Sequence, residues 1–276
     1  MQFADIVRST RPMAVSLAPI PVEGSAILSQ ADPLGLFSIL TMAKCAILID
    51  GGYLLKRLPT VRPDIPADDA EQVVRSVRRL VRSHLEALNE VYELKNEYEL
   101  LYRVFYYDAR PYREKAHTAV LKQSIDYAKT PQAEFRTALF DFLKGQRNLA
   151  VRLGDVRKDS GRSWVLRPEP QRRLLQGEIA AEQLADEDFV PALHQKGVDM
   201  RIGLDIASIT LKSQADIIVL VSGDADFVPA AKLARREGVQ FILDPLWQGV
   251  SSDLFEHVDA LRSGFPRPSK QFSKGD

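Results

Sequence analysis

The chain has 276 residues, 45% apolar and 27% charged, with 37 Lys and Arg against 37 Asp and Glu. That is enough for one large or two small packed domains, and a formal net charge of zero excludes a globally basic polyanion binder, so any nucleic acid must be met by a local patch. The single cysteine, Cys45, excludes an intrachain disulfide and a Cys-based zinc site and fits a reducing, cytoplasmic setting, while the absence of a long apolar run or a signal-peptide pattern argues against membrane insertion and secretion.

Residues 1–41 carry Pro12, Pro19, Pro21 and Pro33 without a sustained period of two or 3.6, and read as a poorly ordered tail. Met42 stands where a compact α/β domain would begin, so the tail is also a candidate start-site extension, and the domain is expected over residues 42–263. CAILID, Cys45 to Asp50, is an apolar strand ending in an acid and followed by Gly51 and Gly52. A short helical turn from Tyr53 to Leu58 and a loop through Pro59, Pro63 and Pro66 come next. Asp68 or Asp69 then caps a helix to about Asn89, with Val73, Val77, Leu80, Val81, Leu85 and Leu88 on its apolar face. Arg75, Arg78, Arg79 and Arg82 on the other side form either a solvated basic face or a phosphate-tracking stripe.

YRVFYY, Tyr102 to Tyr107, is a second strand ending at Asp108, followed by Arg110 at the same rim. Helices are expected from Lys115 to about Ala128 and from Gln132 to about Gln146. Two alternating runs around Lys158 to Gly161 predict a small inserted hairpin. The basic stretch Arg152 to Arg173, with Trp164 inside it, is either an electropositive arm with a stacking ring or an ordinary charged edge. Gly177 to Phe189 reads as a solvated acidic surface. A helix from about Asp199 to Lys212, a strand over 216–221, a helix from Phe227 to Glu237 capped by Gly238, a strand over 239–244 and a short helix from Ser251 or Ser252 to about Arg262 give the parallel α/β pattern. Residues 264–276 read as a C-terminal tail.

The strand over Ile217 to Val221 is followed by Ser222, Gly223, Asp224, Ala225 and Asp226, so two carboxylates leave its carboxyl end, where open α/β sheets hold ligands. Asp50 and Asp224 can meet if their strands are neighbours, and a helix starting near Asp199 can add a third oxygen donor. Such a set suits Mg²⁺ or Mn²⁺ and phosphodiester hydrolysis, with Asp226 ligating a second ion or orienting water and Lys196 meeting a phosphate oxygen. Asp205 falls on a different helical face and is expected to play a supporting role. Each Asp taken alone is also an ordinary turn former or helix cap. No nucleotide-binding glycine loop, G-x-S-x-G elbow or H-E-x-x-H pair is present.

ILIDGGYL at 47–54, VFYYDA at 104–109, KGVDMRIGLDIASI at 196–209 and VLVSGDADFVPAAKLARREGV at 219–239 together resemble the NYN family of PIN-like nucleases, and within it the LabA-like bacterial branch. The resemblance implies a three-layer α/β/α sandwich with a mainly parallel central sheet and an acidic pocket that binds Mg²⁺ or Mn²⁺ and cleaves RNA to leave a 5′-phosphate. By position it implies catalytic and metal-binding roles for Asp50, Asp199, Asp224 and Asp226. Lys196, Ser222, Tyr53, Arg110 and Trp164 are the residues expected to touch substrate. One departure stands out: the family's first motif usually reads D-G-x-N, and Tyr53 takes the Asn position, which puts in question a hydrogen bond that would position ligand or substrate. The implied partner is single-stranded or structured RNA, and a homo-oligomer is compatible with the sequence. A non-catalytic RNA- or partner-binding protein that keeps the pocket, and a DNA-directed nuclease, are the alternatives.

Overall fold

Five residues of β1 (Cys45–Asp50) and all five of β9 (Ile217–Val221) are buried, because the strands lie mid-sheet with helices on both faces. The computed structural model describes residues 43–268; the expected tail over 1–41, the start at Met42 and the last residues from 269 lie outside them. Period-two alternation divides the side chains between two cores. Cys45, Ile47, Ile49, Ile217, Val219 and Val221 face α1 (Gly51–Val61), α2 (Ala70–Tyr92) and α3 (Pro131–Lys144). Ala46, Leu48, Ile218 and Leu220 face α5 (Val198–Leu211), α6 (Val228–Arg236) and α7 (Ser252–Glu256). This is a three-layer α/β/α sandwich of PIN-like form.

The central sheet has seven strands in the order β11-β10-β9-β1-β2-β5-β8, adding β2 (Leu101–Ala109), β5 (Leu149–Lys158), β8 (Leu193–Lys196), β10 (Gln240–Asp244) and β11 (Ala260–Leu261). All neighbours are parallel except β8, which runs antiparallel to β5. Asp50 pairs in register with Tyr107, Ile49 with Val221 and Asp244 with Val221, so β1, β2, β9 and β10 end along one edge.

Several expectations need correction. The first helix does not stop before Pro59 but continues to Val61, because Leu54, Leu58 and Val61 anchor its inner face while Pro59 sits exposed, where the carbonyl it leaves unbonded can meet water. Residues 115–128 do not form a helix. They make an antiparallel ribbon of β3 (Lys115–His117) and β4 (Ser124–Asp126), closed by Thr118, whose N–H donates to Gln123 O (2.9 Å) and whose Oγ1 accepts from Gln123 N (3.0 Å). The hairpin expected around Lys158–Gly161 is not formed between its own two runs. The first run joins the sheet as β5, and the second, β6 (Trp164–Leu166), pairs with β7 (Phe189–Pro191), with α4 (Pro168–Leu175) in the connection. The insert is therefore two ribbons. The last helix ends at Glu256, and Ala260–Leu261 return as an edge strand. Phe265, which falls within the expected C-terminal tail, is buried and its carbonyl accepts from Trp247 Nε1 (2.8 Å). On α2, Arg75 pairs with Glu71 and Arg82 with Glu86, which favours the solvated-face reading of that arginine row.

Gly51, the first residue of α1, lies against the ring of fully buried Tyr106; a Cβ there would stand 2.5 Å from the ring. Gly51→Ala is expected to destabilise the fold by about 1–3 kcal/mol through overpacking, measured by urea unfolding. A loss within experimental error would show that Tyr106 can yield.

Candidate active site

Three strands of the sheet carry an acid at or next to their carboxyl end, and the surroundings of these acids differ. Asp244, at the end of β10, is fully buried and saturated. It accepts from His84 Nε2 (2.9 Å), Leu246 N (2.8 Å) and Gly264 N (2.9 Å). Arg262, a pure donor, faces His84 Nδ1 at 3.1 Å, which fixes the neutral tautomer that donates from Nε2. This carboxylate serves the fold. Asp108, near the end of β2, is also buried; it pairs with Arg136 of α3 and accepts from Ala109 N, while its Oδ2 has no partner. Burial raises its pKa even against the Arg136 charge.

Asp50 is different. As N-cap of α1 it accepts from Tyr53 N (3.0 Å), and Ser222 Oγ donates to its other oxygen at 3.4 Å. Burial first, then repulsion from Asp199 and Asp108, pushes its pKa up to about 6 against those two hydrogen bonds. Asp199 stands exposed in the first turn of α5, behind Gly197 in the left-handed region at φ 79°. Its pKa is raised by partial burial and by the charges of Asp224 and Asp226. Ser222, itself buried, joins the two strand ends: it donates to Asp50 and accepts from Asp224 N (3.3 Å). Asp224 in turn caps a short turn by accepting from Asp226 N (3.0 Å), and both acids are exposed.

These acids line one edge and sense one another as like charges. Among the described residues, however, no three His, Cys, Asp or Glu side chains stand close enough to hold one metal ion, so the closed three-acid core expected from the sequence is not formed. The donor set is all oxygen and anionic. It fits a hard cation that retains much of its water and takes one or two carboxylates, as Mg²⁺ commonly does, rather than a closed protein cage.

The remaining expected residues fall as follows. Tyr53 packs over Gly223 and donates its hydroxyl to Pro245 O (2.6 Å), and burial raises its pKa. Lys196 is exposed at the end of β8, in register with Asp155, and Arg110 Nη1 donates to Asp155 at 3.2 Å. Trp164 opens β6 and donates Nε1 to His117 O (3.1 Å). Asp205 accepts from Tyr107 Oη (2.8 Å) and pairs with Arg152 (3.3 Å), on the face of α5 that meets the sheet. Sequence reasoning placed Asp108 at the rim but gave it no role, although it carries the same strand-end signature as Asp50. Gln195 was missed altogether. A Cβ on Gly52 would lie 3.5 Å from Asp50 Oδ1 and 3.7 Å from Gln195 Oε1, so this amide borders the site.

Residues 166–260 match the family model of the NYN domain. The match is consistent with the NYN family, without resolving a LabA-like branch, and it points to a nuclease-like, PIN-like function with nucleic acid as partner. No curated protein matches the chain. A crystal structure of a protein of unknown function from Vibrio parahaemolyticus RIMD 2210633 aligns over 81% of this chain and 96% of that one, at 15% identity and a TM-score of 0.38, a likeness too weak to carry an argument. The NYN segment contains Lys196, Asp199, Ser222, Asp224 and Asp226, whereas Asp50, Asp108 and Tyr53 come from strands and a helix before it. The site is thus shared between the NYN segment and the β1–β2 half of the sheet. Among the described residues no helix is long and apolar enough to cross a membrane.

Proposed function

We propose that the chain is a metal-dependent ribonuclease acting at the edge formed by Asp50, Asp199, Asp224 and Asp226. The observation that carries this reading is the convergence of acids on that edge: β1 and β9 end side by side, Ser222 ties Asp50 to the Asp224 loop, and Asp199 lies near enough to Asp224 and Asp226 to feel their charges. Carboxylates held near one another against their repulsion are costly for the fold alone and are relieved by a cation. Mg²⁺ or Mn²⁺ held largely by its own water and by one or two of Asp50, Asp199, Asp224 and Asp226 would supply neutralisation of charge on a phosphodiester.

The chain's own parts have separable tasks. Tyr53 N–H and Ser222 Oγ orient the two oxygens of Asp50, and Ser222 ties that orientation to the loop carrying Asp224. Lys196 is a cation for substrate phosphates, Arg110 could join it by giving up its bond to Asp155, and Gln195 offers an amide beside Gly52. The NYN match supports the hydrolytic, nucleic-acid-directed reading. One observation favours a second reading, a protein that holds RNA without cutting it: the Tyr53 hydroxyl is engaged by Pro245 O, so this side chain does not offer that donor to the acids.

Labelled RNA and DNA of one sequence, incubated with Mg²⁺, Mn²⁺ or EDTA, separate these readings. RNA cleavage that stops in EDTA and falls about 100-fold or more in Asp224→Asn is the expected result. Cleavage of DNA instead would make the substrate DNA, and retention of an RNA complex without cleavage by either metal would establish the binding protein.

A further inference from the structure

The two ribbons that replace the expected helix and hairpin are tied to each other. Trp164 of β6 bonds His117 O of β3, and Asp186, in the turn before β7, accepts from Val120 N (2.6 Å) and Leu121 N (3.4 Å) in the loop of the β3–β4 ribbon. Together with the end of β5 they enclose a pocket of about 350 Å³ walled by Lys115, His117, Lys122, Lys158, Tyr127 and Trp164. No carboxylate lines it. Among the described residues Lys115 and Lys158 make no ion pair, while Lys122 Nζ bonds only the nearby Ala119 O. Three acids of the same ribbons and turns lie outside the lining and turn to backbone N–H groups, Asp126 to Ala128, Asp159 to Gly161 and Asp186 to the two residues above, although Asp126 is the cross-strand neighbour of Lys115. In a chain of zero net charge this pocket lining is locally cationic, with half-buried aromatic rings beside the lysines.

The pocket also has a neighbour on the side of the acids. A second hollow of about 260 Å³ shares Tyr112, Tyr127, Pro191 and Leu193 with it and ends at Ala109, Arg136 and Gln195. Gln195 borders Gly52 and Asp50. Tyr112 and Tyr127 meet edge to face at 5.3 Å between ring centres, forming a rigid wall common to both hollows. The two hollows adjoin at the tyrosines and together make a trench from Gln195, which lies beside Gly52 at the acidic edge, to the lysines and Trp164.

We infer that this trench is a binding track for a flanking single-stranded segment of nucleic acid, with phosphates on Lys115 and Lys158 and an unstacked base against the Trp164 and Tyr127 rings. Single strands fit because their bases can splay onto aromatic side chains, whereas a duplex presents its bases already stacked and paired. The inference rests on the proposed nucleic-acid reading of the acidic edge, but its test does not require cleavage.

Fluorescence anisotropy with a 5′-fluorescein oligouridylate 12-mer, in EDTA, compares the full chain with Lys115→Gln/Lys158→Gln. These exposed side chains keep most of their length in the variant, and an unchanged melting temperature verifies the fold. The expected result is about tenfold weaker binding, and a slope of log affinity against log salt smaller by about 1.4, the release expected for two phosphate contacts on a single strand. A 4-mer should bind both proteins nearly alike, since it cannot span the trench. Unchanged affinity and slope for the 12-mer, or equal binding of a duplex of the same length, overturns the track. Loss of binding in the variant of a protein that cuts nothing would retain the track and remove the nuclease reading. Cleavage by wild type with unchanged binding in the variant would do the reverse.

Discussion

Replacing Arg136 with Ala is expected to cost about 3–5 kcal/mol of folding stability near neutral pH, more than any surface ion pair in the chain would cost. Asp108 is completely buried, and among the described residues Arg136 is its only charged partner. Removing the guanidinium leaves a carboxylate whose second oxygen already lacks a hydrogen bond. The acid has one escape, protonation. Burial already raises its pKa with Arg136 present, and without the cation it rises further. A raised folded-state pKa means that the native protein holds a proton the unfolded chain has released, so the variant should be most stable in acid and lose stability as pH rises through the folded pKa. Urea unfolding at pH 5 and pH 7.5 should therefore show a smaller deficit at the lower pH. Arg136→Ala/Asp108→Asn should regain much of the loss, because the orphaned charge is gone. A deficit that is below about 1 kcal/mol at both pH values would mean that water or another side chain reaches Asp108.

The parts of the fold visible in the sequence are those where local pattern and tertiary environment agree. β1 and β9 are short runs of apolar, often β-branched residues because both their faces are buried, and α5 and α6 carry an apolar stripe because each covers the sheet from one side. The illegible parts draw their stability from partners distant in sequence. Lys115–His117 contains one inward apolar residue, Ala116, and becomes a strand through pairing with Ser124–Asp126 and the Thr118–Gln123 bonds. β6 finds its partner more than twenty residues on, in β7. Two residues, Ala260 and Leu261, make an edge strand only because β10 offers them an open ladder.

The site shows the same division. Asp50, Asp199 and Asp224 stand out because each follows a recognisable strand or begins a helix. Their sequence positions could not say that Ser222 links Asp50 to the Asp224 loop, nor that Asp244, with an identical strand-end signature, is saturated by His84 and two backbone N–H groups. Asp108 and Asp50 look alike in sequence, and their surroundings separate them: Arg136 from α3 meets the fully buried Asp108, whereas Asp50 caps α1 and bonds Ser222. Lys115, Lys122, Lys158 and Trp164 were dispersed over an expected helix and an expected hairpin, and correcting those two elements is what brings them to one pocket.

Asp50→Asn is expected to move stability and activity in opposite directions. Asn keeps the cap on α1 and can still accept from Ser222, so little of the local geometry changes. What disappears is a buried charge facing Asp199 and Asp108. The wild-type carboxyl titrates near 3.8 when unfolded and at about 6 when folded, so its ionisation costs the native state little below pH 4, increasingly between pH 4 and 6, and fully above that window. In EDTA the variant should accordingly match wild type at pH 4 and exceed it at pH 8 by about 1–3 kcal/mol, or several degrees in melting temperature. Adding millimolar Mn²⁺ at pH 8 should raise the wild-type melting temperature and move the variant much less, because a ligand stabilises only the state that binds it. Cleavage should fall in the variant together with that metal response. If Asp50→Asn is less stable than wild type at pH 8, the Asp50 charge is being compensated within the protein itself. If it is more stable yet gains as much from Mn²⁺ as wild type, Asp50 has no part in holding the ion, and the cation would have to rest on one or two of Asp199, Asp224 and Asp226.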